Sequence, residues 1–376
     1  MENDHMKRKV LLVIAAMALS ALVGCGSGEA KGPEKQATQE SKTKDDEKYV
    51  AFVTDVGNID DKSFNEGSWN GVKEFADKNG YKKDFFRPVT DTEEARGEAV
   101  DKAVDAGADV IACVGSLFEP IVYKKQKEYK DVEILFVDGE PKDKDGNVEY
   151  CDNVNSIIFK EEESGYLAGY AAVKEGYKKL GFLGGMDIPA VRRFGYGYVQ
   201  GAEAAAKDLK VKGVSIEYMY TGGFQPSNDI TNDVEKWYNK GTEIIFSCGG
   251  GILYSVIEAA GNNKDRKIIG VDVDQSAESD NIVFSAMKGL TTSISTALQV
   301  YEDNDCKWPE DRAGKKLSVG VKEDGVGLSA TEGSWRVKNT SIEDYNKMIE
   351  EMKKKDLKIQ GEELPELKYV KLNKIN

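Results

Sequence analysis

Short apolar segments alternate with amphipathic segments through most of the chain. One set of apolar segments lies between positions 50 and 159, and a second set lies between 179 and 285. The segments between them carry apolar residues at helical spacing. This alternation predicts parallel sheets built from strand–helix–strand units. The predicted strands are 50–54, 84–88, 109–114, 133–138, 154–159, 179–184, 214–220, 243–248, 267–272 and 282–285, and the predicted helices include 92–106, 197–209, 228–239 and 288–302.

The two sets of strands resemble each other in sequence. Gly107-Ala-Asp-Val-Ile-Ala-Cys-Val-Gly115 corresponds to Gly241-Thr-Glu-Ile-Ile-Phe-Ser-Cys-Gly249. Ile134–Asp138 corresponds at the same offset to Ile268–Asp272. We interpret this repeat as two lobes of one topology; the alternative is coincidence among common α/β patterns.

The repeat also pairs residues that carry chemistry. Phe64 and Phe194 occupy matching places near the start of the first helix of each lobe, and Asp138 and Asp272 end matching strands. Two such lobes facing across a cleft would place one Phe on each side and the two carboxylates at the rim. This arrangement suits a flat ring that carries hydroxyl groups.

The first predicted strand runs directly into a loop and a helix. Tyr49–Thr54 is apolar, and Ser63 with Glu66 three residues later predicts a capping box that starts a helix. The loop therefore lies at the carboxyl end of a strand, which is where open α/β sheets bind ligands.

Side chains of this loop and helix favour an uncharged ligand. Asp55, Asp60 and Asp61 would repel a phosphate but can accept hydrogen bonds from hydroxyl and N–H groups. Phe64 and Asn65, on the first helical turn, offer an aromatic face and an amide, which suit a planar heterocycle. Alternatively, Phe64 belongs to the core and Asn65 only begins the helix.

The amino terminus has the pattern of an export signal. Lys7-Arg-Lys9 precedes the apolar stretch 10–23, which is too short to span a bilayer. The stretch ends in Leu22-Val-Gly-Cys25, which resembles a lipoprotein cleavage site, so we expect residues 1–24 to be removed and Cys25 to carry lipid. An ordinary signal peptide with a chance cysteine is the alternative. Residues 25–47 lack large apolar side chains, which predicts a flexible tether to the outer face of the cell membrane.

Composition narrows the function classes. The chain has 376 residues, which suggests two domains, and its net charge of −14 argues against nucleic acid as a partner. The single histidine, His5, lies in the predicted signal peptide, so Ser-His-Asp and Cys-His catalysis and His-ligated metals are not expected. We expect free thiols at the four cysteines beyond Cys25, which are Cys113, Cys151, Cys248 and Cys306. We expect neither a metal nor a cofactor.

Five segments together resemble one known family. They are Thr54-Asp-Val-Gly-Asn-Ile-Asp-Asp-Lys-Ser-Phe-Asn65, 156–172 with its Leu-Ala-Gly core, 184–194, Gly270-Val-Asp-Val-Asp-Gln275 and Ser285-Ala-Met-Lys288. In order and spacing they resemble the basic membrane protein family, which includes the purine nucleoside receptor lipoproteins, substrate-binding proteins of ABC transporters.

The resemblance implies a type 1 periplasmic-binding-protein fold, an α/β fold of two Rossmann-like lobes joined by a three-crossing hinge. We expect lobe 1 to comprise 48–155 and about 276–316, and lobe 2 to comprise 156–275 and about 317–376. The crossings are expected near 154–157, near 273–283 and within 316–335. The implied partners are a purine nucleoside, an ABC transporter permease and the membrane, the last through the lipid only; we expect a monomer.

The resemblance also implies roles for individual residues. Phe64 and Phe194 would stack on the base, and Asp55 and Asn65 would bind its edge. The remaining implied contacts are to the ribose, from Asp138, Asp272 and Lys288, with backbone near Gly249 alongside.

Three other functions are weighed against this one. A sugar-binding protein of the same fold would stack aromatic rings on pyranose faces. A nucleoside hydrolase is suggested by the acidic stretch 55–61, although its carboxylate spacing is one residue too long. The third alternative is a signalling lipoprotein that binds no small molecule.

Overall fold

The computed structural model describes residues 47–355 and 357–375. Strands and helices alternate along this part of the chain. The elements up to residue 184 are β1 (Tyr49–Val53), α1 (Phe64–Asn79), β2 (Lys82–Phe86), α2 (Glu93–Asp105), β3 (Val110–Val114), α3 (Glu119–Glu128), β4 (Glu133–Val137), β5 (Val154–Phe159), α4 (Glu161–Glu175) and β6 (Lys179–Gly184). They are followed by α5 (Pro189–Asp208), β7 (Val214–Tyr220), α6 (Asn228–Asn239), β8 (Ile244–Cys248), α7 (Ile252–Ala260), β9 (Lys267–Asp272), β10 (Ile282–Lys288), α8 (Leu290–Asp303), β11 (Lys315–Val319), β12 (Val326–Leu328), α9 (Ile342–Lys355) and β13 (Val370–Lys374).

The strands form two sheets that are almost entirely parallel. The first has the order β11-β5-β4-β3-β1-β2, and the second has the order β12-β10-β9-β8-β6-β7-β13. Among the strands of residues 47–355 and 357–375, only β12, which pairs with β10, runs antiparallel. Helices α1, α2, α3 and α8 pack on the first sheet, and α4 to α7 pack on the second. The predicted α/β fold with two Rossmann-like halves is confirmed.

Within the described residues, the chain passes between the two sheets three times, at 159–161, 288–290 and 319–326. The third passage lies in the predicted window. The first is slightly later than expected, because β5 stays in the first sheet to Phe159. The passage expected near 273–283 is wrong, because β10 pairs with β9 in the second sheet. The limits of the two lobes remain a prediction, and the sheets favour limits near 160 and 289 over those expected.

Helix α5 begins earlier than its sequence pattern predicts. The prediction of 197–209 missed the first two turns, which start at Pro189. Proline suits the first position of a helix because a backbone N–H at that position would have no acceptor within the helix, so its absence costs nothing. Phe194 therefore lies within the second turn of a long helix.

Helices α4 and α5 approach each other closely enough for their backbones to touch. A Cβ atom at Gly165 would overlap the carbonyl oxygen of Phe194, and one at Gly197 would overlap the carbonyl oxygen of Glu162. Only glycine fits at these two positions. The contact fixes the start of α4 against the turn of α5 that carries Phe194.

Candidate functional site

A pocket of about 760 Å³ lies at the carboxyl ends of strands from both sheets. Its volume is in the range of small-molecule sites. The structure brings all eight ligand residues predicted from the sequence into its lining: Asp55, Phe64, Asn65, Asp138, Phe194, Gly249, Asp272 and Lys288.

The two predicted aromatic residues border the pocket from different sheets. Phe64, the first residue of α1, is half-buried. Phe194 is only 2% exposed, and its ring meets the Phe246 ring edge-on at 5.8 Å. The Lys288 ammonium lies 4.8 Å from the Phe64 ring centre and 6.0 Å from that of Phe194. The two rings therefore share one cation as a neighbour.

Lys288 belongs to a buried chain of alternating charges. Its ammonium contacts the Asp138 carboxylate and donates to Glu161 Oε1 at 3.0 Å. The other oxygen of Glu161 accepts from Arg193 Nε at 2.6 Å. The sequence predicted Lys288 and Asp138 as separate ribose contacts, but the structure pairs them with each other.

Burial and neighbouring positive charges have opposite effects on the pKa values of the two carboxylates in this row of charges. Burial raises the pKa of Asp138 to about 6, with Glu161 adding to the rise and Lys288 opposing it. Burial also acts to raise the pKa of Glu161, but Arg193 and Lys288 outweigh it and hold that pKa below its ordinary value. Of the two carboxylates, Asp138 is therefore the one that takes up a proton first.

The two strand-end aspartates share an unusual backbone conformation. Asp138 has φ 61° and Asp272 has φ 65°, in the left-handed region that side chains other than Asn and Asp rarely adopt. Each is held by a residue from the lobe of the other sheet. Lys288 of β10 contacts Asp138, and the Ser63 hydroxyl, which precedes α1, donates to Asp272 Oδ2 at 2.7 Å. Asp138 Oδ1 is buried and has no hydrogen-bond partner among the described residues.

The predicted capping box at the start of α1 is wrong. Ser63 makes no side-chain cap hydrogen bond. The Asp61 carboxylate instead accepts from the backbone N–H groups of Ser63, Asn65 and Glu66 at 2.9, 3.1 and 3.0 Å. The positive end of the helix dipole, at the N-terminus, stabilises a carboxylate more than a hydroxyl. Because Asp61 caps the helix in place of Ser63, the Ser63 hydroxyl can donate to Asp272.

Asp55 and Asn65 form a small hydrogen-bonded unit. Asn65 Nδ2 donates to Asp55 Oδ1 at 3.1 Å, and the Thr54 hydroxyl donates to Asn65 Oδ1 at 2.5 Å. The second Asp55 contact comes from the N–H of Gly57 at 2.7 Å. An Asn amide carries two N–H donors and a carboxylate two oxygens, so each side chain keeps one group for a ligand.

Gly249 lines the pocket, and close backbone packing also requires glycine at this position. A Cβ atom there would lie 2.9 Å from the backbone nitrogen of Gly185. The turn after β8 can therefore approach the turn after β6 this closely because it carries glycine at position 249. Cys248, beside it, also borders the pocket, and burial raises the pKa of its thiol.

Ser63, Thr54, Glu161 and Arg193 were not predicted as site residues. Glu161 begins a run of three glutamates, and Arg193 follows another arginine. Such runs are ordinarily solvated, and only the tertiary structure shows that one member of each is buried.

Comparison with known proteins identifies the family of this chain. Residues 48–366 match the family model described as ABC transporter substrate-binding protein PnrA-like. The chain belongs to this family. The ABC transporter nucleoside-binding protein BmpA of Lactococcus lactis is 27% identical over 356 residues, covering 89% of this chain and 95% of that protein. Basic membrane protein D of Borreliella burgdorferi is 30% identical over 310 residues, covering 81% of this chain and 85% of that protein.

A solved structure supports the fold assignment of this family member. An ABC transporter solute-binding protein from Aeropyrum pernix superimposes with a TM-score of 0.66 at 25% identity, covering 84% of this chain and 88% of that one. The chain is thus an ABC transporter substrate-binding protein with a fold of the type 1 periplasmic-binding class. In the part of the chain that the structure describes, helices are too short or too polar to cross a membrane.

Proposed function

We propose that this substrate-binding protein captures a purine nucleoside between its two lobes and delivers it to an ABC importer. One observation carries the proposal: residues from both sheets place two Phe rings, a lysine and an unpartnered aspartate oxygen around one pocket. The name of the Lactococcus relative, a nucleoside-binding protein, supports the same class of ligand.

The charges of the pocket favour a nucleoside over a nucleotide. Its lining contains eight aspartates, and the Lys288 ammonium already contacts two carboxylates. A phosphate would meet net negative charge in a region of low dielectric, where like charges repel strongly.

Two groups of residues would hold the two halves of the ligand. Phe64 and Phe194 would stack on the base, while the free N–H of Asn65 and the free oxygen of Asp55 would bind its edge. The buried Asp138 Oδ1 has no hydrogen-bond partner in the described part of the chain, and such atoms ordinarily have one. A ribose hydroxyl would supply the missing donor, with Asp272, Lys288 and backbone near Gly249 alongside.

Mass spectrometry of small molecules that copurify with the chain from residue 47 onward tests the proposal. We expect a purine nucleoside, and calorimetry should show that inosine binds more tightly than ribose or inosine monophosphate. Recovery of a pyranose would favour the sugar-binding alternative, whereas release of free ribose from added inosine would favour a hydrolase.

We also propose that Cys25 carries a lipid that holds the protein at the outer face of the cell membrane. Cys25 lies outside the described residues, as do the signal peptide and most of the tether. Buried lipid CH₂ groups contribute about 0.8 kcal/mol each to membrane binding. A Cys25→Ser protein should therefore leave the membrane fraction, and its unchanged retention would contradict the proposal.

We further propose that the protein is a monomer, which light scattering would test.

A further inference from the structure

Glu161 is a buried carboxylate behind the pocket wall. It is the first residue of α4, where the chain has just passed from the first sheet to the second, and its side chain is fully buried. Each of its oxygens has its own cation: Lys288 Nζ at 3.0 Å and Arg193 Nε at 2.6 Å. A carboxylate at this depth is costly unless it is paired in this way.

The Lys288 ammonium is held from two directions. Asp138, in the pocket lining, follows the last residue of β4 in the first sheet, and Glu161 lies on the side of the second sheet. Without Glu161, the ammonium would keep only Asp138 as a carboxylate in direct contact and would move toward it. Since Asp138 also offers the unpartnered oxygen, that movement would reduce what the pocket can offer to a hydroxyl group.

Arg193 fixes Glu161 in turn. Its side chain is 13% exposed and is covered by the chain near residue 361, where a Cβ atom at Gly361 would lie 2.8 Å from Arg193 Cγ. Glycine contacts between α4 and α5 hold the two helices together beside this pair. Glu161 thus lies between a largely buried cation and the cation that borders the pocket.

We propose that Glu161 is a positioning residue of the binding site, which sets the place of the Lys288 ammonium against Asp138 and so governs recognition of the sugar. The inference rests on the proposed nucleoside function. It assigns Glu161 no contact with the ligand. It also distinguishes Glu161 from Glu162, which follows it on the same helix and has its nearest cation, Arg193, at 3.9 Å.

Calorimetry on Glu161→Gln, with Glu162→Gln as the matched control, tests this. For Glu161→Gln we expect inosine affinity to fall about tenfold, the size of one lost charged hydrogen bond. Hypoxanthine, which lacks the sugar, should change by less than about threefold on the same scale. Glu162→Gln should retain the parental affinity for both.

The pH dependence of inosine binding provides a second measurement. It should stay unchanged if Glu161 has only a structural role. The charged groups that face Asp138 are Lys288 of β10, Glu161 of α4 and Arg193 of α5. Glu161 raises the pKa of Asp138, so its neutralisation should move the acidic midpoint of inosine binding to lower pH.

Each other outcome overturns the inference. Parental affinities and an unmoved midpoint in Glu161→Gln, with or without lower stability, would make Glu161 a structural residue only. If Glu161→Gln does not fold, Glu161→Asp decides: it keeps the charge but is too short for both cations, so inosine affinity should fall, and a parental value would contradict the proposal. Failure of the unaltered protein to bind inosine would instead overturn the proposed function and the inference with it.

Discussion

The two sides of the pocket are built in different ways. On the side of the first sheet, Thr54, Asp55, Asp61 and Asn65 lie within one loop and helical turn and hold one another by local hydrogen bonds. On the side of the second sheet, Phe194 and Lys288 are far apart in sequence and are placed by buried charges and helix packing. Loss of the aromatic ring on the first side should therefore weaken binding with little loss of stability. Loss of the ring on the second side should lower both stability and binding.

Phe194→Ala should have the largest effect. Phe194 is almost fully buried against Phe246, so the substitution leaves a cavity and should lower the free energy of unfolding by about 3–5 kcal/mol. Phe64→Ala, at a half-buried residue, should lower it much less. Denaturant unfolding of both variants measures the contrast, and equal losses would contradict the proposed difference between the two sides.

Asp272→Ala should weaken nucleoside binding by about 1.5–3 kcal/mol, since it removes a charged acceptor for ribose hydroxyls. Free hypoxanthine should bind nearly as it does to the parent. Ser63→Ala is the control, because it removes the partner of Asp272 and leaves the carboxylate. We expect a smaller loss there, and calorimetry with both ligands separates the two. An equal loss for inosine and hypoxanthine would place Asp272 outside the sugar site.

Gly165→Ala should lower the free energy of unfolding by about 1–3 kcal/mol, because its new methyl group meets the Phe194 carbonyl. Gly333→Ala is the matched control, since no atom lies within 4 Å of a Cβ placed there. Thermal unfolding of both proteins tests the contact. Parental stability in Gly165→Ala would show that α4 and α5 can separate without cost.

Acidic pH should weaken inosine binding moderately. The pKa of Asp138 is raised to about 6, and its carboxylate is the form that accepts from a hydroxyl. Affinity should hold above that pH and fall below it, by no more than about tenfold per pH unit for one proton. Asp138→Asn should remove part of this slope. What remains should come from Asp61, whose pKa burial raises to about 6 and whose carboxylate caps α1, and from Asp55 and Asp272, whose pKa values burial also raises.

The sequence predicted best what is local or repeated. The strand–loop–helix at 49–75 carries its ligand residues within a dozen positions, and the repeat placed Asp138 and Asp272 at matching strand ends, where the structure gives them the same left-handed backbone. The partners of these aspartates could not be predicted. Each lies on the opposite side of the cleft, and periodicity within one segment carries no information about contacts across it.

Two errors have physical causes of the same kind. The capping box failed because Asp61 competes better than Ser63 for the free N–H groups of α1. The start of α5 was missed because Gly195 interrupts the apolar pattern of its first two turns, and the fold requires glycine there because a Cβ atom would overlap Tyr218 and Phe182 of the second sheet. In both cases a neighbour in space decided what a local pattern could not.

Calorimetry of inosine binding to Phe64→Ala tests the central claim most directly. Phe64 is partly exposed, so the variant should fold, and loss of binding can be assigned to the lost ring. Stacking of a base on an aromatic ring contributes about 1–3 kcal/mol, so affinity should fall by about one to two powers of ten. Phe85→Ala, an exposed aromatic residue of β2 outside the pocket lining, is the control and should bind as the parent does. Parental affinity in Phe64→Ala would mean that the ring is only part of the packing, and the proposed sandwich of the base between Phe64 and Phe194 would be wrong.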